Sequence, residues 1–294
     1  MTDAPAPPLA LRSRAEEQAA AFPPLLAEAE HLATTVLLGE HGRRRAGLGE
    51  TFWQYRPAMH WDEARMIDWR RSGRSDTQFV QDKEWQVAQS VLIWTDRAAS
   101  MSFASAKDGP SKADRATLLA LAATVLMIRG GERVGLTGTL LPPRRGEDQI
   151  RRIAETLLST DPEDYGRPVA DGMPRHSRAL FISDFLGDIA AIETALTDAA
   201  DRDVHGVILQ VLDPAEEAFP YDGRTIFESM TGAIRHETLK AGELNQRYLA
   251  RLAERKDRLA RLARDTGWRF HTHHTGDSAA SALLWLHGAL GRKA

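Results

Sequence analysis

Cysteine and long apolar runs are both missing from this sequence of 294 residues. Without cysteine there can be no disulfide bond, thiolate zinc site or cysteine nucleophile, and a reducing compartment such as the cytoplasm is the simplest location. The N-terminus lacks the apolar core of a signal peptide, and no later stretch approaches the roughly 20 apolar residues that span a bilayer. We therefore expect a soluble, cytoplasmic protein without membrane insertion.

An excess of one charge and the common catalytic motifs are missing as well. The 38 basic and 41 acidic residues leave a formal net charge of -3, which gives no overall bias toward nucleic acid. The sequence has no Gly-x-Ser-x-Gly elbow, phosphate-binding loop, Gly-rich nucleotide fingerprint or His-Glu-x-x-His helix. These absences favour a protein that is not an enzyme and does not bind nucleic acid.

The sequence does contain an alternation of apolar runs of strand length with amphipathic stretches of helix length. This pattern predicts strands at residues 87–96, 132–140, 178–184, 205–213 and 268–273. It predicts helices over Arg14–Leu38, Lys112–Ile128, Glu147–Leu158, Asp188–Ala200, Glu237–Arg264 and Ser278–Leu290.

Strands separated by helices predict an α/β fold of the Rossmann-like, doubly wound kind. Its sheet is expected to be mostly parallel and covered by helices on both faces, because near-continuous apolar strands must be buried on both sides. Residues 41–84 differ, with Gly, Arg, Trp and Tyr in short runs that favour an irregular, partly β segment. The predicted organisation is a tail and helix at 1–40, an Arg- and Trp-rich segment at 41–85, and the α/β domain at 86–294.

Two aspartates lie at the carboxyl ends of predicted strands, where parallel sheets bind their ligands. Asp96 ends the first predicted core strand and is followed by Ser100, and Asp184 ends the third. If these strands are neighbours, both carboxylates face one crevice, and carboxylates with hydroxyls suit Mg²⁺ or Mn²⁺. The spacing is equally compatible with aspartates that cap the helices after them.

More specific motifs surround these aspartates. The motifs are GLGETF at 47–52, RMIDWR at 65–70, SGR at 72–74, Glu84, Asp96 through Met101, Lys112, GERVGL at 131–136, SDFL at 183–186 and LLWL at 283–286. Through them the chain resembles a bacterial member of the domain-of-unknown-function family number 58 over roughly residues 41–290.

The resemblance implies a von Willebrand factor A-like core with a metal-ion-dependent adhesion site at Asp96, Ser100 and Asp184. The loop after Asp96 departs from the Asp-x-Ser-x-Ser pattern of that site, because alanine occupies position 98. Thr160 is a poor match for the threonine expected between Leu158 and Arg178. We therefore expect a degenerate site that binds Mg²⁺ or Mn²⁺ weakly or stays empty.

Members of this family are often associated with MoxR-type AAA+ ATPases, so the resemblance implies such an ATPase and its protein client as partners. The partner surface is expected in the Arg- and Trp-rich segment, at Trp61, Arg65, Asp68, Trp69 and Arg74. His60-Trp61 stands where related proteins commonly have Pro-Gly, which predicts a bulkier loop there.

Two other clusters have simpler interpretations. His271 and His273 share a strand face and could bind zinc or nickel with His274, but no third ligand has convincing spacing, which favours a structural role. The arginines at 43–45, 70, 71 and 74 lie among acidic residues, which favours salt bridges or an acidic protein partner over nucleic acid.

Two functional hypotheses follow. The first is a non-enzymatic interaction module, an adaptor or co-chaperone of a MoxR-type AAA+ ATPase. The alternative is a metal-dependent phosphoester hydrolase that uses Asp96, Asp184 and Asp188 at the strand edge.

Overall fold

The computed structural model describes residues 23–37, 52–59, 67–73, 77–83, 89–159, 163–228, 235–238 and 242–291. The chain divides into two compact units, one formed by residues 42–88 and the other by residues 1–41 and 89–294. In the smaller unit, strands β1 (Phe52–Pro57) and β2 (Phe79–Lys83) pair antiparallel, and the four-residue helix α2 (Trp69–Ser72) lies between them in sequence.

The larger unit is built on a parallel sheet of five strands. In chain order these are β3 (Ser90–Thr95), β4 (Arg133–Leu136), β5 (Arg178–Ser183), β6 (His205–Leu212) and β9 (Arg269–His274). In space their order is β4-β3-β5-β6-β9, and every neighbouring pair is parallel. The winding direction reverses at β3, because the chain goes first to β4 on one side and then to β5 on the other.

Helices flank both faces of the sheet. Among the described residues of the larger unit, the helices are α1 (residues 23–37), α3 (Lys112–Arg129), α4 (Glu147–Leu157), α5 (Ile189–Ala200), α6 (Pro214–Ala218), α7 (Gly242–Asp265) and α8 (Ala279–Gly291). Side chains alternate between faces along each strand. Ile93 belongs to the core cluster that contains residues of α1, α3, α4 and α8, whereas Leu92 belongs to the cluster that contains residues of α5 and α7. The predicted α/β class, with a parallel sheet between helices, is confirmed.

Two predicted boundaries were wrong. The strand expected over 132–140 ends at Leu136, since the chain turns back there through Gly138 (φ 67°) and the Leu136 amide donates to the Leu141 carbonyl at 3.0 Å. The helix expected from Glu237 begins at Gly242, because residues 235–238 form strand β8 (Arg235–Thr238), which pairs antiparallel with β7 (Thr225–Glu228).

Helix α1 is described from Pro23 onward. The rest of the stretch predicted over Arg14–Leu38 lies outside the described residues. None of the described helices is long and apolar enough to cross a membrane.

Candidate functional site

The carboxyl ends of β3 and β5 meet at one sheet edge. The two strands are neighbours in the sheet, with Thr95 opposite Ile182, and the Asp96 amide donates to the Ile182 carbonyl at 2.8 Å. Asp96 and Asp184 therefore enter the same edge from adjacent strands, at the point where the winding direction reverses. Ligands of doubly wound sheets bind at such a point.

Asp96 is enclosed by protein and is only 3% exposed. Its Oδ1 accepts from the Ala98 amide at 2.9 Å and its Oδ2 from the Ser183 hydroxyl at 2.7 Å. The Gly166 amide also donates to this carboxylate. Burial raises the pKa of Asp96, and the hydrogen bonds from Ala98 and Ser183 offset part of that rise.

A loop at residues 163–166 covers this carboxylate. Its Glu163 and Asp164 carbonyls accept from the amides of Ala99 and Ser100 at 2.8 and 2.9 Å, in the 3-10 turn Ala99–Ser102. A Cβ placed on Gly166 would lie 2.2 Å from Asp96 Oδ1, so backbone packs directly on the carboxylate. The loop expected to supply a threonine ligand thus supplies backbone groups, and Thr160 lies outside the described residues.

Asp184 is paired with a buried lysine that the sequence analysis did not assign to the site. Lys112 Nζ donates to Asp184 Oδ2 at 2.8 Å and to Glu216 Oε1 at 2.7 Å. The Lys112 and Asp184 side chains are each 1% exposed, and that of Glu216 is 14% exposed. Burial by itself would lower the pKa of Lys112, but the charges of Asp184 and Glu216 outweigh it, so the pKa is raised and the ammonium form is favoured.

Further hydrogen bonds hold the Asp184 loop in place. Asp184 Oδ1 accepts from the Leu186 amide at 3.0 Å, and the Asp184 carbonyl accepts from Gln210 Nε2 at 2.9 Å. Phe185 has a left-handed backbone (φ 52°), and its amide donates to Ser183 Oγ. Such a conformation in a bulky residue is strained and persists only where its surroundings hold it.

The expected metal ligands fit a divalent cation poorly. Both Asp96 oxygens accept hydrogen bonds from protein groups, and one Asp184 oxygen is bonded to an ammonium group. The buried Ala98 methyl stands where a ligand hydroxyl is expected. Within the described residues, only the Ser100 hydroxyl of the expected set has no hydrogen-bond partner, and no group of three or more His, Asp or Glu side chains suits a metal ion.

The interpretation of Asp96 and Asp184 as helix caps is wrong for both residues. Asp96 and Asp184 accept from the amides two residues later, at Ala98 and Leu186, which makes local turns rather than helix caps. Asp188, the third acid of the hydrolase hypothesis, is exposed and caps α5 by accepting from the Ala190 amide at 3.0 Å.

A cavity of about 760 Å³ lies beside Asp96, between the N-terminal end of α3 and the C-terminal end of α4. Its two arginines are both bonded to protein acceptors. Arg97 donates to the Thr156 carbonyl at 3.0 Å, and Arg115 donates to the Thr275 carbonyl at 2.8 Å.

The histidines of β9 have separate structural partners. His271 stacks on Trp285 at 4.6 Å between ring centroids, and His274 lies beside Glu217 and Asp277. Buried His273 contacts Arg115, with 3.0 Å between Nε2 and Nη1, so its Nε2 must accept because a guanidinium only donates. These contacts agree with the structural role favoured by the sequence.

Two of the expected partner-binding residues are described, and both lie at α2. Asp68 stabilises the start of this helix, since its Oδ1 accepts from the Arg70 amide at 3.1 Å. Trp69 is 59% exposed, which is unusual for so large an apolar side chain. Trp61, Arg65 and Arg74 lie outside the described residues, as does His60.

Comparison with known protein families identifies the family of the chain. The family model described as "Protein of unknown function DUF58" matches residues 54–258, which include β3, β5, Lys112 and Glu216. The chain belongs to the DUF58 family.

Relatives of this DUF58 protein occur in mycobacteria. It is 27% identical over 252 residues to "Uncharacterized protein Rv1480" of Mycobacterium tuberculosis and to "Uncharacterized protein Mb1516" of Mycobacterium bovis. Each alignment covers 79% of this chain and 77% of the relative.

Solved structures with partial similarity come from Bacteroides. The hypothetical protein BatB of Bacteroides thetaiotaomicron aligns with a TM-score of 0.38, and an aerotolerance-related membrane protein of Bacteroides fragilis with 0.40. Both are 15% identical to this chain, and the alignments cover 69% of it and 98% of each solved chain.

Proposed function

We propose that this DUF58 protein is a non-enzymatic interaction module, an adaptor or co-chaperone of a cytoplasmic MoxR-type AAA+ ATPase. Its α/β unit is a von Willebrand factor A-like core in which the metal-ion-dependent adhesion site has degenerated. The observation that carries the proposal is that Asp96, Asp184 and Lys112 are buried and use their polar atoms in hydrogen bonds within the protein. They are therefore not exposed to a substrate.

Catalysis by these residues has less support. A two-metal hydrolase needs carboxylates that share metal ions and a water that can attack the substrate. Here the Asp96 oxygens accept from Ala98 and Ser183, Asp184 accepts from Lys112, and Asp188 caps α5. Each acid therefore has a structural use, and a phosphoester substrate would have to displace those bonds.

A partner surface is better supported at α2. Trp69 combines a large apolar surface with 59% exposure, and exposed tryptophans are enriched among the residues that dominate binding energy at interfaces. The helix beneath it is held by the Ser72 hydroxyl, which donates to the Asp68 carbonyl at 2.7 Å and accepts from the Phe79 amide at 2.9 Å. The backbone that carries Trp69 is therefore already ordered, which lowers the conformational entropy lost on binding.

The test is affinity capture with the full chain as bait, in the presence of a non-hydrolysable ATP analogue. We expect recovery of an AAA+ ATPase, identified by mass spectrometry, and a weaker complex with Trp69→Ala. Truncating a binding hot spot costs about 2 kcal/mol or more, which corresponds to a loss of roughly 30-fold in affinity.

Leu140→Ala is the matched control, because Leu140 is 99% exposed in the other unit and carries no proposed role. Equal binding by both variants would show that Trp69 is not part of the partner-binding surface. Failure to recover any AAA+ ATPase would contradict the proposed partner. Phosphoester turnover with Mg²⁺ or Mn²⁺ that is lost in Asp96→Ala would instead establish the hydrolase.

A further inference from the structure

Lys112 occupies a position that is unfavourable for a cation on two counts. It is the first residue of α3, after the N-cap Ser111, and the N-terminus of a helix carries partial positive charge. Its side chain is also 1% exposed, and removing a charge from water is costly unless it is paired. Local structure therefore does not explain why a buried lysine occupies this position.

Its explanation lies in two acids from other parts of the chain. Asp184 follows β5 and Glu216 belongs to α6, and their oxygens lie 2.8 and 2.7 Å from Lys112 Nζ. The other Glu216 oxygen accepts from the Asp213 amide at 2.9 Å. The ammonium group thus joins the Asp184 loop to the start of α6.

We propose that the Lys112 ammonium group takes the place of a divalent cation at this sheet edge, so that the site is complete without metal. A tethered ammonium neutralises the carboxylates as a metal ion would, but it only donates hydrogen bonds. It leaves no coordination position for a carboxylate of a partner, whereas a bound Mg²⁺ or Mn²⁺ can accept one.

The surroundings of Asp96 fit the same interpretation. Gly166 packs against the Asp96 carboxylate, and the buried Ala98 contributes a methyl group where a ligand oxygen is expected. The Asp96 oxygens are bonded to the Ala98 amide and the Ser183 hydroxyl. Both aspartates of the expected metal site are thus bonded to the chain's own donors. The site is the degenerate adhesion site of the proposed function, and its pairing with Lys112 is independent of the identity of the partner.

The experiment measures thermal unfolding of the full chain with added Mn²⁺ or Mg²⁺, against NaCl of equal ionic strength. The wild-type midpoint should not respond to either metal. Lys112→Ala leaves Asp184 and Glu216 without their cation, so its midpoint should fall by roughly 10 °C and recover in part, saturably, with Mn²⁺.

Lys107→Ala is the matched control, because Lys107 is exposed and lies on the loop before α3. Its midpoint should equal that of the wild type with and without metal. A saturable rise of the wild-type midpoint with Mn²⁺ would overturn the proposal. So would a Lys112→Ala protein that is as stable as wild type, or one that is destabilised but insensitive to metal.

If Lys112→Ala does not fold, calorimetric titration of the wild-type protein with Mn²⁺ tests the proposal instead. A flat titration supports a site completed by lysine, and saturable heat at one ion per chain contradicts it.

Discussion

At the scale of single residues, backbone packs directly on a buried carboxylate in the candidate site. Gly166 lies so near Asp96 that a Cβ there would be 2.2 Å from Oδ1 and 2.6 Å from Cγ. Asp96 cannot move away easily, since its oxygens are bonded to Ala98 and Ser183. Glycine is required at position 166 by space, not by a left-handed backbone.

Gly166→Ala should therefore destabilise the protein by about 1–3 kcal/mol, because the added methyl group must displace the loop or the buried carboxylate. Urea unfolding measures the change. Gly288→Ala is the control, since Gly288 lies in α8 with nothing within 4 Å of an added Cβ. It should be neutral or stabilising by up to about 1 kcal/mol, as alanine is the better helix former. Equal stability of Gly166→Ala and wild type would contradict the packing of this loop on Asp96.

At the scale of elements, the short helix α6 depends on contacts beyond its own residues. Asp213 is its N-cap and accepts from the Ala215 amide at 2.8 Å, while its other oxygen accepts from the Ser105 amide at 2.9 Å. Burial alone would raise the pKa of Asp213, but the hydrogen bonds from Ser105 and Ala215 outweigh it and the pKa is lowered. One carboxylate thus caps α6 and fastens the loop before α3 to it.

Asp213→Ala should cost more than an ordinary cap. Loss of an N-cap costs about 1 kcal/mol, and loss of the hydrogen bond from the Ser105 amide adds about 1 kcal/mol. Asp188→Ala is the comparison, because Asp188 caps α5 from an exposed position. Urea unfolding gives the two costs, and hydrogen exchange should show faster opening of α6 in Asp213→Ala. Equal costs for the two variants would mean that the Ser105 contact contributes nothing.

At the scale of the whole molecule, stability in mild acid is tied to a buried histidine. His273 is 3% exposed, and burial, together with the positive charge of Arg115, lowers its pKa to about 4. An unfolded histidine has a pKa of about 6.5. Above pH 6.5 the ring is neutral in both states, whereas between pH 6.5 and 4 the unfolded chain takes up the proton and the folded protein does not. Folding therefore loses stability as the pH falls through this window.

The loss should reach about 3 kcal/mol at pH 4. His273→Gln should lack this part of the pH dependence, because its amide oxygen can accept from Arg115 but does not titrate. The free energy of unfolding of both proteins, measured in urea from pH 7.5 to pH 4, gives the difference. The pKa of Asp213 is lowered from its ordinary value of 3.8, so its contribution to the free energy of unfolding is lost only as the pH falls below about 3.8. This loss is the same in both proteins. Parallel pH profiles for the two proteins would contradict a neutral buried His273.

Much of the molecule was predictable from local pattern. Apolar runs of strand length placed the five strands of the sheet, and the alternation with helices predicted that they are parallel, because a parallel connection must cross over through a helix. Asp96 and Asp184 were placed at the strand ends by their position in the sequence alone. The family resemblance was confirmed over residues 54–258. The MoxR-type ATPase and the degenerate metal site stay predictions.

The sequence by itself determined the strands of the parallel sheet, most of the helices and which acids end the strands, because these depend on neighbouring residues. Only the tertiary structure decided which residues contact those acids. Lys112 lies 72 positions from Asp184 and 104 from Glu216, and no local pattern specifies contacts over such separations. The strand order brings them together, and burial then requires that each charge finds a partner. The loop that packs Gly166 on Asp96 depends on tertiary structure in the same way.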